Sequence, residues 1–237
     1  VIAAIHALKN DQIAGSDKIG LWGISRAGWI NPLVIQRYKD IKFWISVSGV
    51  DDKENFKYLL EQNLRIAGHP PEYVELIVHE WVEGIRITHA GGSFEAYQKV
   101  TANLGKDNFW LRFTHGGITA EGYDRYQKTF KKEAVEEETG LQVYVENFDT
   151  ILSSVHCPVL ALFGERDMNV DWRKTKSLYE KTMEKTTDLT IQSFPGCNHN
   201  MFRCETGGFY EFEDTHLPWT RCEGLLNVMT EWLKKRE

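Results

Sequence analysis

Three residues, far apart in the chain, have the types and surroundings needed for nucleophilic catalysis. Ser25 lies in Gly23-Ile24-Ser25-Arg26-Ala27-Gly28. A serine at the tip of a sharp strand-to-helix turn needs a positive φ, which crowds residues two before and two after it, so those positions must be small. Gly23 and Ala27 meet that need, and Gly28 lets the following helix come close to a sheet. The turn also puts Ser25 at a helix N-terminus, where backbone N–H groups face whatever is bound to the serine oxygen, and the N–H of Arg26 is the expected first oxyanion donor. A serine that merely caps a helix after a strand has the same local sequence. Serine at its ordinary pKa needs a base. His199, in Phe194-Pro195-Gly196-Cys197-Asn198-His199, is the candidate, with Asp167, in Gly164-Glu165-Arg166-Asp167, as the acid that orients it.

These three can meet only if the elements before them share a sheet. Lys18–Trp22, Lys42–Ser48, Val159–Phe163 and Leu189–Phe194 are short apolar runs that fit buried parallel strands. Ser25, Asp167 and His199 each follow such a run, so in a parallel sheet all three lie on its C-terminal rim. The 32 residues from Asp167 to His199 suit one helix-plus-strand crossover, with a helix expected over Trp172–Thr182. The much longer interval from Ser25 to Asp167 requires an insertion. Asp51, after the second run, is a reserve candidate for the acid.

Residues 1–9 read as an amphipathic helix, and a second helix runs from the Ser25 turn to about Tyr38, bent by Pro32. From Asp51 to Glu146 the composition shifts to charge, aromatics and helix formers, with helical periodicity over Glu54–Ile66, Pro71–Ala90, Ser93–Leu104 and Tyr123–Lys132. Leu225, Leu226, Met229, Trp232 and Leu233 mark one face of a closing helix. The expected domains are therefore 1–50 and 147–237, forming one core, and a mostly helical insertion over 51–146.

Gly-Leu-Trp-Gly-Ile-Ser-Arg-Ala-Gly-Trp-Ile, Cys-Pro-Val-Leu-Ala-Leu-Phe-Gly-Glu-Arg-Asp and Phe-Pro-Gly-Cys-Asn-His resemble the nucleophile, acid and histidine motifs of the α/β-hydrolase superfamily, nearest its serine-esterase and serine-aminopeptidase-like branch. The resemblance covers about residues 1–50 and 147–237. It implies Ser25, Asp167 and His199 as a catalytic triad, acyl transfer to water without a cofactor or metal, and a small-molecule acyl substrate. It also implies that 51–146 is a helical lid. The fold class expected is α/β: a partial hydrolase fold with a mostly parallel sheet and flanking helices. The family normally has about four strands before the nucleophile, with a loop among them giving the second oxyanion donor. Here only a helix precedes the first strand, and the chain opens at Val1 inside an apolar-periodic segment. The reading is thus of a piece of a longer protein with an exposed sheet edge, open to dimerisation. A peptidase, a thioesterase or a catalytically incomplete fragment would carry the same motifs.

A formal net charge of −6 with no basic stripe argues against nucleic acid as a partner, and the longest apolar runs are too short to span a bilayer. The spacing of Cys157, Cys197, Cys204 and Cys222 fits neither a redox pair nor a zinc knuckle. Four free thiols are expected, with Cys204–Cys222 the pair to bridge under oxidising conditions. The remaining histidines show no metal-ligand spacing. Aromatics between Trp81 and Tyr123, and those from Phe209 to Phe212, are candidates for pocket walls as well as for packing.

Overall fold

The computed structural model describes residues 1–130, 135, 136 and 139–236. In chain order the elements are α1 (Ile2–Asn10), β1 (Leu21–Ile24), α2 (Ala27–Arg37), β2 (Trp44–Val47), α3 (Phe56–Ile66), α4 (Pro71–His89), α5 (Phe94–Val100), a 3₁₀ turn (Leu104–Lys106), α6 (Asn108–Phe113), α7 (Ala120–Thr129), α8 (Phe148–Ser153), β3 (Val159–Gly164), α9 (Trp172–Met183), β4 (Leu189–Phe194), α10 (Glu211–Thr215) and α11 (Leu225–Lys234). They form two compact units, one of residues 1–52 with 147–237 and one of residues 53–146.

The first unit is built on a four-stranded sheet in the order β1-β2-β3-β4, every pair parallel. Its central strands are apolar on both faces because both are covered. Ile45, Val47, Leu160 and Leu162 face Leu225 and Trp232 of α11. The alternate residues face the other way: Trp44 lies against Tyr179 of α9, with ring centroids 5.5 Å apart, and Ser46 shares a 3.1 Å hydrogen bond with the Tyr179 hydroxyl. Burying each such side chain contributes roughly 1.5–3 kcal/mol. β1 is an edge strand, and its Trp22 is exposed.

The strand expected at Lys18–Trp22 lies two to three residues later, at Leu21–Ile24. Pairing with β2 sets this register: Leu21 sits opposite Trp44 and Ile24 opposite Val47, and the Ser25 N–H closes the ladder on the Val47 carbonyl. α2 runs on through Pro32, which is buried.

The second unit is helical. Leu60, Leu64, Val74, Ile77, Trp81, Leu104 and Trp110 form its core. Buried Glu80 accepts the N–H groups of Asn103 and Leu104, both at 2.8 Å, and so ties α4 to the 3₁₀ turn. Side-chain caps set three starts: Ser93 for α5, Asp107 for α6 and Thr119 for α7. The Thr119 cap starts α7 three residues before the expected Tyr123, and Lys131 and Lys132 of that expected helix lie outside the described residues. α5 stops at Val100, short of the expected Leu104, because the chain tightens there into the 3₁₀ turn. Among the described residues, no helix is long and apolar enough to cross a membrane.

Candidate active site

The β1–α2 turn places Ser25 at φ 57°, a left-handed conformation that costs a non-glycine residue about 1 kcal/mol or more and is held only by its surroundings. Those surroundings are specific. The Ser25 N–H donates to Val47, and its carbonyl accepts from Gly28 (2.8 Å) and Val50 (3.2 Å). A Cβ on Gly23 would overlap that of Ala27, so one of the two must lack it. A Cβ on Gly28 would lie 2.7 Å from the Val50 nitrogen and 2.8 Å from the Gly49 Cα, so α2 crosses the end of β2 almost in backbone contact. Arg26 then starts α2 at φ −55°, and its N–H meets no acceptor among the described residues.

The candidate acid follows β3. Asp167 is 1% exposed. Its Oδ1 accepts the N–H groups of Asn169 and Val170, both at 2.9 Å, which fixes the plane of the carboxylate. Its Oδ2 lies 2.8 Å from His199 Nδ1. The imidazole, 7% exposed, has no other hydrogen-bond partner among the described residues, so its Nε2 is open.

The histidine loop is fastened to the ends of the strands beneath it. A Cβ on Gly164, the last residue of β3, would overlap the carbonyl oxygens of Cys197 and Asn198, so the loop rests directly on that glycine. Asn198 Oδ1 accepts from Asn200 and Phe202, both at 3.0 Å, and knits the turn. Met201 Sδ lies 3.8 Å from Ser48 Oγ, above the end of β2, the strand next to Ser25. The structure thus joins Asp167 to His199 directly and carries the histidine loop toward β1. It does not bring Ser25 Oγ within hydrogen-bonding distance of His199.

Asp51, the reserve acid, is buried after β2 and paired with Lys174 at 2.5 Å. The cysteine expectation is corrected. Cys197 and Cys222 form a disulfide, while Cys157 and Cys204 are free. Pairing decides it. The Cys222 N–H donates to the Met201 carbonyl and Phe202 bridges Arg221, which brings Cys222 beside Cys197. Cys204 instead lies opposite Gly196, its thiol donating to the Gly196 carbonyl. Burial, with the charge of Glu211 adding, pushes that thiol up to about 11. Two residues with no catalytic signature in the sequence, Arg166 and Glu211, hold the loops around the pair. Glu211 accepts three backbone N–H groups from residues 205–207.

Residues 145–234, which contain α8, β3, Asp167, β4 and His199, match the model of the dienelactone hydrolase family. The match covers less than half of the chain. With the parallel sheet and the Ser25 turn, it marks an α/β-hydrolase type of fold. No curated protein matches it in sequence. Among solved structures, the chain is similar to an esterase from Pyrococcus furiosus over 81% of its own length and 51% of the esterase, with 14% identity and a TM-score of 0.39. It is also similar to a carboxylesterase of the thaumarchaeon Nitrososphaera gargenis (99% and 70% covered, 11% identity, TM-score 0.45). A third is the meta-cleavage product hydrolase of Pseudomonas fluorescens (99% and 70%, 12%, 0.45). The chain spans about half the length of the Pyrococcus furiosus esterase.

Proposed function

We propose that this α/β-hydrolase cleaves carboxylic esters through an acyl-serine intermediate on Ser25. The observation that carries the reading is the buried 2.8 Å contact between His199 Nδ1 and Asp167 Oδ2. A carboxylate fixed in that place selects the tautomer with the proton on Nδ1, which leaves Nε2 as a base. His199 Nε2 takes the Ser25 proton as the oxygen attacks the ester carbonyl. Asp167 steadies the imidazolium that forms. The open N–H of Arg26 receives the developing oxyanion, helped by the positive end of α2. His199 then protonates the leaving alcohol, and water, deprotonated by the same nitrogen, releases the acid. Hydrogen bonds of this kind are often long before substrate arrives, in keeping with the unjoined Ser25 and His199.

The test is labelling with a fluorophosphonate, which reacts with an activated serine, followed by peptide mapping and by turnover of p-nitrophenyl esters of increasing acyl length. The label is expected on Ser25, and Ser25→Ala or His199→Ala is expected to lower turnover by about 10⁶ while the fold persists. An unlabelled Ser25 in the folded protein overturns the proposal.

A further inference from the structure

We propose that Glu211 and Arg166 form a positioning clamp that holds the histidine loop in register with the acid loop; the inference rests on the serine-hydrolase reading above. Arg166 stands immediately before Asp167. Its N–H donates to the Cys197 carbonyl at 2.9 Å, two residues from His199. Its guanidinium donates to the carbonyls of Cys204, at 2.9 Å, and Glu205. Glu211 takes the same segment from the other side. One carboxylate oxygen accepts the N–H groups of Glu205 (2.8 Å) and Thr206 (2.6 Å), and the other accepts that of Gly207 (2.9 Å). The Glu205 peptide groups are thus gripped at both ends, the carbonyl by a cation and the N–H by an anion.

Gly207 closes the assembly. At φ 81° it lies flush on the Arg166 backbone, where a Cβ would overlap the Arg166 carbonyl oxygen. Glu211 is 7% exposed, and a buried carboxylate is tolerated when several N–H groups converge on it. Asp167 is oriented separately, through Asn169 and Val170. What the clamp governs is therefore the other half of the contact: where the 197–205 segment, and with it the imidazole, sits relative to a fixed carboxylate. A displacement of about 1 Å in such an arrangement costs about 10²-fold in rate.

The experiment measures, on the chain itself, the rate constant and the final extent of fluorophosphonate labelling at Ser25, with folded fraction from circular dichroism. Glu211→Gln keeps the shape but turns an amide N–H₂ toward backbone donors, and Arg166→Met removes the guanidinium. Each is expected to lower the rate constant by roughly 10- to 100-fold at full final labelling. With an ester substrate, kcat falls and KM stays within about twofold. Because the two residues act as one clamp, the double variant is expected to lose no more than the worse single one, and Arg166→Lys should recover part of the rate. A purely structural role would reduce folded fraction and final labelling and leave the rate constant of the folded molecules alone. That result, or fully multiplicative losses in the double variant, overturns the clamp. A wild-type chain that is folded and unlabelled overturns the hydrolase reading and the clamp together, whereas a labelled wild type with an equally fast Glu211→Gln overturns the clamp alone.

Discussion

Lys174 Nζ lies 2.5 Å from the buried Asp51 carboxylate, whereas the Asp167 carboxylate meets His199. Two carboxylates stand at the rim of the sheet, and they face different partners. Asp167→Asn should leave the loop folded but present a neutral amide to the imidazole, lowering the Ser25 labelling rate by about 10⁴. Asp51→Asn should change that rate by no more than a few-fold, its effect appearing as a modest loss of stability. Comparing the two rate constants checks the assignment, and the reverse order would transfer the acid role to Asp51.

The Gly23–Ala27 contact predicts a stability effect with a built-in rescue. Gly23→Ala places a second methyl where the Ala27 methyl already lies. The turn must open or distort, at a cost of about 1–3 kcal/mol. Adding Ala27→Gly removes the clash, so the double variant should regain most of the stability apart from up to about 1 kcal/mol for glycine near a helix start. Urea denaturation of the two variants and the wild type reads both effects. Additive losses would show that crowding at this turn is not the constraint.

How much of this could be read from residues alone differs by element, for physical reasons. β3 and β4 are uncharged runs ended by glycine or proline, so composition places them within a residue of Val159–Gly164 and Leu189–Phe194. β1 is harder: its ends are set by the partner strand, through Leu21 opposite Trp44, and a single apolar run carries no register. α6 and α10 have only six and five residues, too short for a helical period to show, although Asp107 three residues before Trp110 is a readable cap for the first. The 2.8 Å contact between Asp167 and His199 follows from parallel topology, because each residue ends a strand and β3 and β4 are neighbours. The Cys197–Cys222 bond and the grip of Glu211 depend on how irregular segments fold over one another, which no spacing rule encodes.

The disulfide gives a contrast to the clamp. Cys197 and Cys222 are 25 residues apart, and linking them restricts the unfolded chain over the histidine loop and α10. Cys222→Ser should cost about 2–4 kcal/mol, or roughly 5–15 °C in Tm. The bridges that pair Cys197 with Arg203 and Phe202 with Arg221 remain available in the folded state. The Ser25 labelling rate of the folded variant should therefore stay near wild type while Tm falls. A matching loss of rate would mean that the bond itself positions His199.

His89, at the end of α4, predicts acid sensitivity in the helical unit. The imidazole is buried against Phe130, with ring centroids 3.3 Å apart, and neither ring nitrogen has a partner among the described residues. Burial without a counter-charge pulls its pKa down from 6.5 to about 4. In the unfolded chain the ring takes up a proton near pH 6.5, whereas in the folded unit it does so only near pH 4. Between those values the unfolded state binds more protons, so stability falls as pH drops through that window, by up to about 3 kcal/mol from this group. His89→Leu removes the titration and keeps an apolar side chain against Phe130. Urea unfolding at pH 7 and pH 4.5 should show a smaller loss of stability in the variant than in the wild type, the difference being the contribution of His89. Equal losses in the two proteins would show that this imidazole is protonated in the folded state as easily as in the unfolded one.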